Sequence, residues 1–155
     1  MRRKVDYKRK YQPDPKYQSQ LVGRFINQIM RKGKKTVAQR VVYQTFDLVE
    51  KQAKQEPLAV FEQAIKNVSP FLEVKSKRIG GANYQVPVEV QGERKITLAM
   101  RWILQASRSR KGKAMAEKLA EELIQASHNE GAAIKKRTDV QKMAEANRAF
   151  AHFAR

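Results

Sequence analysis

Apolar residues recur at intervals of three or four along most of the chain, which is the period of an amphipathic α-helix. Helix-start signals divide this pattern, with Thr36 and Gln39 in capping-box spacing and a proline suited to a first helical turn at Pro57. The predicted helices cover about residues 21–30, 36–49, 57–68, 93–107, 114–127 and 138–153. The pattern therefore predicts a mostly α protein of about six helices.

The stretch VKSKRIGGANYQVPVEV interrupts the helical period. Its second half alternates valines with Pro87 and Glu89, which places the valines on one face of a strand and the other two residues on the opposite face. Two strands alone are marginal in water, so this hairpin must lean on the helices or on a partner. We expect a single helical domain at residues 19–155, with one protruding β-hairpin at about 72–90 and a basic N-terminal arm at 1–18.

Charge changes this picture more than any other property of the composition. The 155 residues contain 33 Lys and Arg against 15 Asp and Glu, a formal net charge of +18. The first sixteen residues account for only 7 − 2 = +5 of this, so most of the excess lies after the arm. Such an excess repels itself in a compact chain unless an anion neutralises it, and nucleic acid is the usual anion.

Other compositional features bear on the compartment. The chain has no cysteine, which fits a reducing interior and excludes disulfide chemistry. No apolar run approaches the roughly 20 residues of a membrane span, and Met-Arg-Arg-Lys is not followed by a signal-peptide apolar stretch. These observations predict a soluble, unexported chain without membrane partners.

The fourth predicted helix carries the most informative polar pattern. At 100° per residue, one narrow stripe contains Arg94, Arg101, Gln105 and Arg108. Ile96, Ala99, Met100 and Ile103 fall on the opposite side. A stripe without acids, backed by a core face, is what a helix needs to lie along a phosphate backbone.

Two loops, the arm and the hairpin add further basic clusters. Arg31-Lys32-Gly33-Lys34-Lys35 and Arg108-Ser109-Arg110-Lys111-Gly112-Lys113 both join helices, and Tyr84 of the hairpin could stack on a base. Each cluster alone could serve only solubility, but five basic elements together favour contact with nucleic-acid phosphates. The candidate RNA-binding residues are Arg2, Arg3, Lys4, Lys8, Arg9, Lys10, Lys32, Lys34, Lys35, Lys75, Lys77, Arg78, Tyr84, Arg94, Arg101, Arg108, Arg110, Lys111 and Lys113.

Catalytic interpretations find little support. His128 and His152 lie on different predicted helices without a metal-ligand spacing, and both read as surface residues. Glu121-Glu122 reads as a solvated helical face, and Trp102 as a packing residue. No phosphate-cradling glycine motif is present. We therefore expect no enzyme activity, no catalytic residues, no metal site and no cofactor.

Several ordered segments together resemble the bacterial form of ribosomal protein seven of the small subunit. They are RRKV and PDPK near the N-terminus, GKKTVAQRVVY, GGANYQVPVEV, TLAMRW and KKRTDVQKMAEANRAFAHF. The resemblance implies a helical domain with one hairpin that binds small-subunit ribosomal RNA and helps organise the head of that subunit. It also implies neighbouring small-subunit proteins, exit-site transfer RNA and messenger RNA as partners, a place on the cytoplasmic ribosome, and repression of the protein's own messenger.

Two other functions fit parts of the pattern. A DNA-bending architectural protein also pairs a helical body with a basic β-arm, although such arms usually work in dimers. An RNA-modifying enzyme is a third interpretation, and the lack of a recognisable active-site pattern argues against it.

Overall fold

Helices make up most of the computed structural model, which describes residues 12–154. The elements in chain order are α1 (Gln20–Ile29), α2 (Lys35–Ala53), α3 (Pro57–Val68), β1 (Leu72–Ile79), β2 (Ala82–Glu89), α4 (Glu93–Ser109), α5 (Met115–Ser127), α6 (Ala132–Ala146) and a C-terminal 3-10 helix (Arg148–Ala154). The predicted class, mostly helical with one antiparallel hairpin, is confirmed. None of the helices within 12–154 is long and apolar enough to cross a membrane.

Two boundaries differ from the sequence prediction. α2 already begins at Lys35, so Thr36 lies inside the first turn and does not cap it. The last predicted helix, 138–153, is two elements, because α6 runs from Ala132 to Ala146 and a 3-10 helix follows from Arg148 to Ala154. Gly131 has a φ of 94°, which favours glycine, and the Asn147 side chain donates to Met143 O at 2.8 Å. These local hydrogen bonds and dihedrals set both ends of α6, and apolar periodicity does not detect them.

The described chain forms two compact units, divided after Arg40. In the N-terminal unit, α1 buries its apolar face, including Phe25 and Ile26. The segment before α1 runs close to Gly23, where an added Cβ would lie 2.7 Å from Gln12 O, so this position requires glycine. Asp14 Oδ2 accepts hydrogen bonds from the backbone of Lys16 and Tyr17, both at 3.1 Å.

The C-terminal unit has its core where α5 packs against α3 and α4. Phe61, Ile103, Leu119 and Leu123 are fully buried there. The side-chain amide of Asn67, on α3, donates to Ala126 O at 2.9 Å and to Ser127 O at 2.8 Å. These bonds satisfy carbonyls at the end of α5 that have no partner within the helix.

The hairpin pairs β1 with β2 from Leu72↔Glu89 to Ile79↔Ala82. Gly80 and Gly81 form the turn with φ of 56° and 90°, values that suit a two-residue turn of the primed type. Val86 and its neighbour Pro87 are both buried, although successive strand residues point to opposite faces. Both faces of the hairpin are therefore covered at this point, and Ala144 and Glu145 of α6 line a pocket beside Pro87.

Candidate nucleic-acid interface

α4 has the two-faced character that its sequence predicts. Trp102, Ile103 and Leu104 are buried, together with Leu98, Ala99 and Met100. The exposed residues of α4 include the predicted stripe, Arg94, Arg101, Gln105 and Arg108. A rigid helix thus holds these side chains on one exposed face, a geometry in which several charges can meet one anionic surface.

The N-terminal end of this stripe is partly neutralised inside the chain. Arg94 donates to Glu73 Oε2 at 3.0 Å, and Lys75 lies 3.0 Å from the other oxygen of the same carboxylate. Burial on its own raises the pKa of Glu73, but the hydrogen bonds from Lys75 and Arg94 outweigh it, and the net pKa lies below its usual range. The sequence interpretation missed Glu73, because its pairing with Arg94, 21 residues later in the chain, appears only in the tertiary structure.

Basic residues of the loop between α4 and α5 pair with acidic residues of α5. Arg110 bonds to both Glu121 and Glu122, and Lys113 bonds to Glu121. The interpretation of Glu121-Glu122 as a solvated face is wrong, since the Glu122 side chain is fully buried. A buried carboxylate needs a cation and donors, and Glu122 has Arg110 on one oxygen and Ala133 N at 2.8 Å on the other.

Glu121 belongs to the same network but lies nearer the surface. The hydrogen bond from Lys113 is the largest cause that lowers the pKa of this carboxyl group, and Arg110 adds to it. Arg110 and Lys113, both candidates for phosphate contact, are thus engaged by acids of α5, whereas Lys111 is exposed. The loop bases therefore form two groups, those that pair with acids of α5 and those, such as Lys111, that do not.

The candidate RNA-binding residues of the hairpin lie in different environments. Arg78 is exposed near the turn, but Lys77 Nζ donates to Phe153 O at 2.8 Å. The ring of Tyr84 packs against Phe150 and Phe153 of the C-terminal 3-10 helix, at centroid distances of 5.2 Å and 5.6 Å. Tyr84 therefore has a packing role that the sequence interpretation did not include, and its proposed stacking on a base stays a prediction.

The remaining candidates precede Arg40 in the sequence. Lys32, Lys34 and Lys35 are all exposed around the tight turn between α1 and α2, where Lys32 and Gly33 have φ of 51° and 72°. Arg2, Arg3, Lys4, Lys8, Arg9 and Lys10 lie outside the described residues. RNA contact by every one of these candidates remains a prediction.

The residues considered as catalytic candidates lie either on the surface or in the core. His128 and His152 are exposed, as predicted, and Trp102 is buried against the core side of α4. Within residues 12–154, no group of three or more His, Cys, Asp or Glu side chains is arranged to hold a metal ion.

A helical body that presents a basic helix face and a hairpin with basic residues is typical of nucleic-acid-binding proteins. The family model described as ribosomal protein S7p/S5e matches residues 1–148 of this chain. The chain belongs to this family of ribosomal proteins, which confirms the resemblance found in the sequence.

Curated relatives agree along almost the full length. The small ribosomal subunit protein uS7 of Myxococcus xanthus is 56% identical over 152 residues, covering 98% of this chain and 97% of that protein. The protein of the same name from Thermotoga maritima is 54% identical over 153 residues, covering 99% of both chains. That from Dehalococcoides mccartyi is 55% identical over 152 residues.

Proposed function

We propose that this chain binds small-subunit ribosomal RNA directly, as a structural constituent of the subunit. The observation that carries the proposal is the exposed stripe of α4, where Arg101, Gln105 and Arg108 lie on a helix whose opposite side is core. The names of its relatives support the small subunit as the place of action.

Physical chemistry supports phosphate neutralisation as the main source of affinity. The formal charge of +18 is distributed over the body of the chain, and each lysine or arginine that meets a phosphate releases a condensed counterion. If about 6 to 10 phosphates are contacted, association should weaken by roughly 10³ to 10⁵ between 50 and 200 mM salt.

The test is a filter-binding titration with small-subunit ribosomal RNA, repeated across that salt range and in the presence of duplex DNA. We expect a steep salt response and a preference for the folded RNA. A flat response contradicts phosphate-dominated binding. Equal or tighter binding to duplex DNA, by a dimer of the chain, would instead support the DNA-bending alternative.

The finer parts of the proposal come from the family resemblance. They are organisation of the subunit head, contact with neighbouring ribosomal proteins, a position near exit-site transfer RNA and the messenger path, and repression of the chain's own messenger. Excess chain should then lower expression of a reporter that carries its own messenger leader, and an unchanged reporter would contradict autoregulation.

A further inference from the structure

Phe71, in the short link between α3 and β1, is an unusual surface residue. Its ring is 76% exposed, and it is the most exposed of the large apolar side chains within residues 12–154. Lys95 Nζ lies 4.8 Å from the centroid of this ring. An exposed aromatic ring with a cation beside it offers a stacking surface and a positive charge at the same place.

The ring borders a pocket of about 230 Å³. Pro70, Phe71 and Leu72 form one wall, and Arg137 and Gln141 of α6 contribute the other. The volume is several times the roughly 30 Å³ that one water molecule occupies in the liquid. An apolar wall faced by side chains with hydrogen-bonding groups is a typical arrangement for a small-molecule site.

The two polar residues have capacity for further hydrogen bonds. Arg137 Nη1 donates to Asn67 O, whereas the buried Arg137 Nε–H makes no hydrogen bond to any residue of the described part of the chain. Arg137 lines the pocket and supplies a positive charge there, whereas a ligand contact to the buried Nε would require the side chain to turn away from Asn67 O. The amide nitrogen of Gln141 donates to Glu145 Oε1 at 3.2 Å, and its amide oxygen can accept from a base edge.

We infer that this pocket receives one unstacked nucleobase of the bound RNA, which stacks on Phe71 beside Lys95 and meets Arg137 and Gln141 with its edge. The inference rests on the proposed function and adds a site outside the basic stripe. An apolar side chain from a protein would cover Lys95 and Arg137 without supplying an anion. A nucleotide brings its own phosphate, so charge complementarity favours RNA as the occupant.

Substitutions at Phe71 test the inference with purified chain and small-subunit ribosomal RNA. Phe71→Ala and Phe71→Leu should weaken binding by roughly 5- to 100-fold, the range typical of one stacked base, whereas Phe71→Tyr should bind like the unaltered chain. Met143→Ala is the matched control, because Met143 is also an exposed apolar residue (51%) but does not border this pocket. Thermal unfolding of each variant checks that the fold is intact.

The outcomes separate the pocket from the wider proposal. If the unaltered chain binds RNA with steep salt dependence but Phe71→Leu binds equally well, the pocket takes no base and only this inference fails. Equal losses for Phe71→Leu and Phe71→Tyr would show that stacking is not the cause, and would overturn it as well. If the unaltered chain does not bind the RNA, the proposed function fails and the pocket inference fails with it.

Discussion

Two neighbouring groups of bases, the stripe of α4 and the loop that follows it, illustrate how differently equal charges can be used. Arg101 stands exposed on the helix, whereas Arg110, nine residues later, is 26% exposed and bonds to Glu121 and Glu122. In sequence, the loop is the denser basic cluster. In the structure, acids of α5 neutralise Arg110 and Lys113, so Arg101 carries the more available charge.

The different roles of Arg101 and Arg110 follow from the desolvation of Glu122. Glu122 is removed from water, and an isolated buried carboxylate is unfavourable by several kcal/mol unless a cation and hydrogen-bond donors replace its hydration. Arg110 is therefore required by the fold, whereas an exposed arginine keeps its own hydration until an anion arrives. We interpret Arg110 as a residue that orders the loop and Arg101 as one that is available to RNA.

The largest expected effect comes from breaking the loop network. Arg110→Gln leaves the buried Glu122 without its cation and should lower the free energy of unfolding by about 3 kcal/mol. For a chain of this size, the midpoint of thermal unfolding should fall by roughly 10 °C. The double variant Arg110→Gln with Glu122→Gln should recover most of this loss. A single variant as stable as the unaltered chain would show that the pair is not a structural requirement.

The converse change is Arg101→Gln on the stripe. Loss of one charge-assisted contact should weaken RNA binding by about 1 to 3 kcal/mol, with no change in the thermal transition. Lys66→Gln is the control, because it removes the same charge from an exposed position on α3. Filter binding of both variants tests whether the stripe contacts RNA. Equal affinities for the two would mean that the stripe is only a solvated face.

The hairpin extends the comparison to an aromatic residue. Tyr84 packs against Phe150 and Phe153, so Tyr84→Leu should lower the stability by about 1 kcal/mol through loss of the ring contacts. We expect a smaller effect on RNA affinity than that of Arg101→Gln. Denaturant unfolding measures the first quantity and filter binding the second. A large RNA defect with unchanged stability would restore Tyr84 as a base-stacking residue.

The smallest effect concerns the Glu73 pair with Arg94 and Lys75. The pKa of Glu73 in the folded chain lies below its ordinary value of 4.5, so the pair stabilises the fold above about that pH. This contribution is lost as the pH falls through the lower folded-state pKa. Because Lys75 and Arg94 are exposed to solvent, the loss should stay below about 1 kcal/mol.

The control for this pair is Glu73→Gln, measured by denaturant unfolding between pH 3 and 6. The difference in stability between the variant and the unaltered chain should shrink toward the acid end of the series. A difference that is constant across the series would show that ionisation of Glu73 does not contribute to stability.

Much of the fold follows from local signals that are visible in the sequence. The apolar period identifies α3 and the buried side of α4, Pro57 marks the start of α3, and Gly80-Gly81 marks the turn of the hairpin. The end of α6 was not predictable in this way. It depends on a side-chain hydrogen bond of Asn147 and on the change to a tighter 3-10 winding, which leave the spacing of apolar residues almost unaltered.

The candidate site, like the fold, was predictable from the sequence only in part. The sequence by itself determined the positive charge, the acid-free stripe of α4 and the hairpin, because charge and periodicity are properties of the residues and their spacing. Only the tertiary structure decided that Arg110 bonds to Glu122, that Lys77 and Tyr84 contact the C-terminal 3-10 helix, and that Pro87 is buried. Each of these depends on which residues distant in sequence become neighbours, and neighbours set the desolvation and pairing of every side chain.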